Sequence, residues 1–403
     1  MSSYTAEWVL PISGEPIRHA AVSIDKGRIA AVHDSAPPEA TDLGPVAVMP
    51  ALVNAHTHLE LSYLRGQVPH TKRFLDWIRT IMAARRQYPD VADPRIIDAA
   101  RAAIADAHTS GTGLLGDISN TLVTAPLLRD AAMPAQIFFE LLRFNVSDAE
   151  SMTREARARA DAAAAADGDV RISLAPHAPY SVSPALFTAI RRDLDAHPGQ
   201  VTSVHLGESA EETEFIRRGA GPWRALLEEL GVWSDTWIPP AMSPVAYLEQ
   251  LGFLDRRVLA VHGVQFDGDD LDRLRARDMT IVSCPRSNQH VGVGPPPLEA
   301  FYAMDVNVAF GTDSLASAPD LNLFAELAEA RRLAPRVPAR TLLDSATRRG
   351  AMALGFEEDY GTLDVGRRAQ LIAVRIPSGV NDVEEYLVSG IEPSDVQWLD
   401  PSF

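Results

Sequence analysis

The sequence predicts an α/β protein in which a (β/α)₈ TIM barrel is flanked by a small β-sandwich-like domain built from both chain ends. Three observations carry this. Between residues 50 and 350, eight short apolar runs alternate with helix-period stretches. The runs are apolar throughout, as expected of parallel strands with helices over their outer face. Residues 1–49 and 351–403 each carry short β-like pieces too small to bury a core alone, so the two are expected to pack together.

In chain order, Ala20 to Val32 holds two apolar runs around Asp25-Lys26-Gly27, a hairpin turn in which glycine supplies positive φ. The first four barrel strands are expected at Leu52–Ala55, Gly113–Asp117, Gln136–Phe139 and Arg171–Ala175. The other four follow at Val201–Leu206, Val258–Val261, Thr280–Ser283 and Val306–Phe310. Helical spacing marks Phe74–Arg85, Asp98–Ala107, Pro184–Leu194 and Leu271–Arg277, and Ala162–Ala166 reads as a plain helix-forming run. Phe74, Leu75, Trp77, Ile78, Ile81 and Met82 form a packing face suited to roofing a pocket. After the barrel, Gly361–Leu363 and Gln370–Val374 supply the closing β pieces.

Composition narrows the function. With 403 residues and 46% hydrophobic content the chain can build a sizeable core. A net charge of −17 repels phosphate backbones and anionic lipid, which argues against nucleic acid and membrane partners and for a small-molecule substrate. There is a single cysteine, Cys284, which excludes an internal disulfide framework or an all-cysteine metal site. It also excludes the zinc deaminases that use a P-C-x-x-C motif. Cys284 itself reads as core. No basic-then-apolar leader and no membrane-length apolar run appear, so the cytoplasm is expected. A homo-oligomer is compatible with the sequence.

The chemistry gathers at strand ends. His56 and His58 follow the first strand at i and i+2, which places both imidazoles on one face. His205 ends the fifth strand, His262 the sixth, and Asp313 the eighth. In a closed barrel these ends converge on the face where barrel enzymes keep their active sites. Imidazoles with one carboxylate suit a divalent metal, Zn²⁺ first, with Fe²⁺ or Mn²⁺ also accepted. His56, His58, His205 and Asp313 are the expected ligands of one such ion, which would bring a bound water towards neutral pKa. Asp313 would orient that water. His262 would contact the water or the substrate, a ligand role remaining the alternative. Glu208, three residues after His205, would shuttle protons to a ring nitrogen and a leaving amine.

These strings resemble the amidohydrolase superfamily over nearly the whole length. The resemblance is carried by MPALVNAHTHLELSYLRG, LAPHAPYSVS, VHLGES, AVHGV, SCPRSN, FGTDSLAS and GTLDVGRRAQLIAV. Without a lysine at the end of the fourth strand, where His177 lies nearby, the pattern is similar to the one-metal deaminase branch. That branch implies a glutamate after the fifth-strand histidine, matched by Glu208. NAHTHLELS and PHAPYS look most like the aminodeoxyfutalosine deaminases of menaquinone biosynthesis, whose near relatives act on adenosine and S-adenosylhomocysteine. Ala51 stands where a glycine is usual and Gln370 where an aspartate is usual, both away from the chemistry.

Four residues are candidates for substrate contact. His177 sits in the loop after the fourth strand, and Glu60 lies two residues past the HxH pair. Arg286 and Arg143 are candidate forks for an anionic substrate tail, with an ordinary surface or structural salt bridge the alternative for each, and a polar anchor of the first loop the alternative for Glu60. The same metal chemistry also serves a ring-amide (imidazolone-type) hydrolase or an aryl chlorohydrolase. The non-enzyme alternative is a metal-free barrel scaffold.

Overall fold

The computed structural model describes residues 1–164 and 168–399, so Ala165 and Ala166 of the expected alanine run lie outside the described residues. The eight barrel strands run Leu52–Thr57, Thr112–Ser119, Ala135–Leu141, Val170–Pro176, Thr202–Leu206, Val258–His262, Thr280–Ser283 and Asn307–Phe310. Each overlaps its expected run. They form two parallel four-stranded ladders, the first to fourth strands and the fifth to eighth.

The two seams between these ladders are closed by other bonds. At one seam the Thr202 hydroxyl donates to the Leu174 carbonyl at 2.8 Å and the His205 N–H to the His177 carbonyl at 2.8 Å. At the other, the Asp313 N–H donates to the His56 carbonyl at 3.0 Å, and Asn54 exchanges two bonds with Thr312. Gly311 permits this second closure. A Cβ there would sit 2.6 Å from the Cβ of His56 and within 3 Å of its backbone, so the eighth strand could not approach the first.

The terminal segments make two sheets. One is ordered Arg28–His33, Ala21–Asp25, Ser2–Thr5, Thr41–Asp42, and the expected hairpin turns through Lys26 and Gly27, both at positive φ. The other is ordered Val396–Trp398, Leu371–Arg375, Val46–Pro50, Trp8–Val9, Ile17–Arg18, and so joins the two chain ends. Val9, Ile24, Val48, Leu371 and Ala373 share a core distinct from the barrel's. Gly361–Leu363, expected as β, lies in no strand. Gly361 is held at φ 93 against the backbone of Arg348, a conformation foreign to strands.

The expected division at 350/351 falls inside the helix Arg348–Leu354, which packs on the first strand through Gly350 and Val53. The later helix Val383–Leu387 also buries Val383 and Leu387 in the barrel-side core. Among the described residues no helix is long and apolar enough to cross a membrane.

Candidate active site

Except for His56, which is buried against His58, His205 and His262, the strand-end residues line one cavity. Its walls include His58, His177, His205, Glu208, His262 and Asp313, with Phe74, Trp77, Ile78 and Ile81 of the helix Phe74–Arg86 above them. The empty space is about 600 Å³, including open solvent at the mouth. A second cavity, beside the starts of the second and third strands and against Trp398, is lined by Arg101 and His108 but has no carboxylate. It offers no comparable set of acid–base groups.

Local geometry explains how each group arrives. His56 lies in the first strand and His58 just beyond it, where the chain turns into the 3₁₀ helix Leu59–Leu64. The turn is pinned by Asp117 of the second strand, which accepts from the Leu59 N–H at 2.9 Å and the Thr124 hydroxyl at 2.6 Å. His262 and Asp313 take φ of 78° and 61°, a region that side-chain-bearing residues enter rarely and usually where function demands it. Gly207, also at positive φ, lets the chain turn below Phe266, whose ring a Cβ would meet at 2.5 Å. Glu212 then holds the turn, accepting from the Gly207 and Glu208 N–H groups at 3.0 Å each.

The donors converge. Single atoms of His56, His58 and His205 lie within 4.8 Å of one another, as do those of His56, His262 and Asp313. Asp313 Oδ1 is 3.4 Å from His58 Nε2 and 3.7 Å from His56 Nε2. His205 Nδ1 is 3.1 Å from the His177 carbonyl, so as donor there it leaves Nε2 to face the cluster. Both ring nitrogens of His56 are buried without a hydrogen-bond partner among the described residues, which costs about 1–3 kcal/mol per orphaned group. A divalent cation at the centre of the cluster would give one of these nitrogens a partner, and the nitrogen-rich donor set suits one.

Electrostatics separates the roles. Burial, then the neighbouring imidazoles, holds the His56 ring well below the ordinary histidine range. Burial likewise brings His262 down to about 3, against the pull of Asp313. Burial pushes the Asp313 carboxyl up, but His58, His262, the Ser287 hydroxyl and His205 outweigh it and keep it below the usual range. Glu208 goes the other way. Burial, with Asp313 and Glu212 adding, lifts it well above the carboxylate range. Its Oε1 lies 3.6 Å from His262 Nε2. On the far side of that ring, the Asn288 amide meets Nδ1 at 3.0 Å. With the amide as donor, the imidazole proton sits on Nε2, facing Glu208.

Of the expected substrate-contact residues, the structure brings only His177 to the cavity. Its Nδ1 meets the Ser181 hydroxyl at 2.6 Å. The other three take structural partners instead. Glu60 is buried under the loop after the second strand, accepting from Ser119, Asn120 and Thr121. Arg286 spends its guanidinium on Glu326 at 2.6 Å and Asp320 at 2.8 Å. Arg143 is exposed and contributes backbone pairing with Val182 and Ser183. Sequence reasoning passed over Arg85, Glu140, Asn120 and Tyr180, all of which line the cavity. Glu140 had a signal, as the lone acid at the end of an otherwise apolar strand, and its Oε1 lies 3.4 Å from His205 Nδ1. Cys284 is fully buried core, as expected, and burial pushes its thiol well up.

Comparison with known proteins agrees with this site. Residues 47–390 match the amidohydrolase family model. An aminodeoxyfutalosine deaminase of Deinococcus radiodurans is 32% identical over 335 residues, 79% of this chain and 76% of that one. A 5-methylthioadenosine/S-adenosylhomocysteine deaminase of Moorella thermoacetica is 28% identical over 96% of this chain and 90% of its own. Among solved structures, an adenosine deaminase from Xanthomonas campestris with bound zinc superposes with a TM-score of 0.81 at 26% identity. The overlap covers 98% of this chain and 90% of that one.

Proposed function

The chain belongs to the amidohydrolase family and is a hydrolytic enzyme acting on C–N bonds, and on that premise we propose that it is a metal-dependent deaminase of a 6-aminopurine nucleoside. One observation carries the reading. A buried carboxyl group that its surroundings push well above the carboxylate range, Glu208, stands in the same cavity as one held below that range, Asp313, and a cluster of imidazoles. Two carboxyl groups with opposed protonation are what hydrolytic deamination requires.

His56, His58, His205 and Asp313 would hold the divalent metal, which when bound supplies Lewis acidity that makes a water nucleophilic at neutral pH. Glu208 gives its proton to the ring nitrogen beside the carbon that bears the amino group, so that carbon accepts the oxygen nucleophile. Asp313, ionised, takes the proton released by the nucleophile and returns it to the amino nitrogen, which leaves as ammonia. The proton of the new hydroxyl returns to Glu208 as the carbonyl forms. His262 donates from Nε2 to the developing hydroxyl, and its tautomer is held by Asn288. His177 hydrogen-bonds the base.

Within this class the substrate is proposed to be aminodeoxyfutalosine, the substrate named for the Deinococcus relative. Support comes from the long apolar cavity wall, which suits a nucleoside with an extended apolar tail. Deamination of 5-methylthioadenosine or S-adenosylhomocysteine is the second reading, favoured by the relative from Moorella. Zinc-loaded protein incubated with aminodeoxyfutalosine, 5-methylthioadenosine, S-adenosylhomocysteine and adenosine should release ammonia, fastest from the first. Comparable or better kcat/KM on adenosine would reject the finer assignment, and no ammonia from any of the four would reject the deaminase reading.

A further inference from the structure

The helix Phe74–Arg86 presents Phe74, Trp77, Ile78, Ile81 and Arg85 to the cavity at helical spacing. An apolar wall therefore ends in a guanidinium. In a chain of net charge −17, a cation at the mouth of the pocket sets the local field for a substrate. The Arg85 side chain is 40% exposed and only loosely committed. Its two terminal nitrogens donate to the neutral Asn120 Oδ1 at 3.2 Å each, and one reaches Glu60 Oε1 at 3.5 Å.

Glu60 does not need Arg85. It already accepts from the Thr121 hydroxyl at 2.6 Å, the Ser119 hydroxyl at 2.9 Å and the N–H groups of Asn120 and Thr121 at 3.1 and 3.2 Å. Among the described residues Arg85 Nε has no acceptor, so an edge of the fork is free for a ligand. Its charge is felt inside the site, where it is second to burial in bringing His177 down to about 3.

We infer that Arg85 is a specificity-determining residue that binds a carboxylate at the end of the substrate remote from the amino group. Phe74, Trp77, Ile78 and Ile81 pack the apolar or aryl segment between them. The inference rests on the deaminase reading and narrows it to 6-aminopurine nucleosides bearing an aryl or alkyl carboxylate. It excludes Arg143 and Arg286 as readers of that group.

The test has two arms on zinc-loaded protein. One measures kcat/KM for aminodeoxyfutalosine against 5-methylthioadenosine in wild type, Arg85→Gln and Arg85→Lys. The other titrates benzoate, a bare aryl carboxylate, into the same proteins by calorimetry. Arg85→Gln should lower the preference for the carboxylate substrate by about 10- to 100-fold, mainly through KM, and weaken benzoate to match. Arg85→Lys should recover part of both. Equal losses on the two nucleosides with unchanged benzoate affinity would overturn the inference and leave Arg85 as a support for Asn120. If wild type deaminates neither nucleoside, the deaminase reading falls and benzoate alone decides. Absent binding to wild type, or equal binding to Arg85→Gln, then overturns the role of Arg85.

Discussion

The Ser287 hydroxyl donates to Asp313 Oδ2 at 2.6 Å, while the Ser314 N–H holds Oδ1 at 2.7 Å. The carboxylate is thus clamped at both oxygens in a strained backbone position, with Oδ1 turned to His56 and His58. Ser287→Ala should loosen the clamp without removing a proposed metal ligand. A hydrogen bond to a charged group is worth about 1.5–3 kcal/mol, so kcat should fall roughly 10- to 100-fold while metal content stays near wild type. Asp313→Asn should lose metal and turnover together. Metal analysis and kcat on both variants check this, and a Ser287→Ala enzyme with normal kcat would refute the clamp.

Glu208→Gln keeps size and some hydrogen bonding but cannot release a proton. The metal should remain, substrate binding should survive within a few-fold, and kcat should fall by about 10² or more. If the variant loses its metal, Glu208 is a ligand. If kcat is near normal, His262 becomes the proton carrier.

The pH profile should carry the signature of the raised Glu208 carboxyl. The protonated form is the working one, so kcat/KM should fall as pH rises through the raised Glu208 titration. The inflection should lie above the ordinary carboxylate range. A rate that keeps climbing with pH would contradict the assignment.

Elemental analysis should find one firmly held divalent metal per chain, and chelation should lower Tm by several degrees, since a ligand bound only to the native state stabilises it. Restoring zinc should restore Tm. Two metals per chain, both needed for activity, would overturn the one-metal arrangement.

Gly311→Ala tests barrel closure. The new Cβ meets His56 at its Cβ and backbone, so overpacking should cost about 1–3 kcal/mol and displace a proposed ligand. Urea denaturation and metal affinity should worsen together. An unchanged metal affinity would show that the strands part without moving His56.

The barrel strands and the strand-end histidines were legible because both follow from local pattern. Apolar runs give the strands, and chain order alone sends their ends to one face. For Glu60, alternation past the strand end could not choose between pocket contact and loop anchor. The 3₁₀ helix from Leu59 replaces period two with period three, and the side chain turns under the next loop. Arg85 escaped for the opposite reason. An arginine in the last turn of a helix reads as a partner for the helix dipole, and only the seating of that helix over the cavity gives it another task. Arg286 looked free because its partners, Asp320 and Glu326, lie 34 and 40 positions away, outside any local pattern.

The two seams of the barrel have a consequence for assembly. His56 and His58 belong to the first ladder, His205, His262 and Asp313 to the second, and the backbones of His56, His177, His205 and Asp313 stitch the halves together. Neither half contains the proposed four-ligand set, so a fragment or nascent chain ending after the fourth strand cannot capture the ion firmly. On the proposed ligand set, loading would wait for the halves to dock, and the ion would then bridge both joints. Ion uptake would thereby report a completed ring.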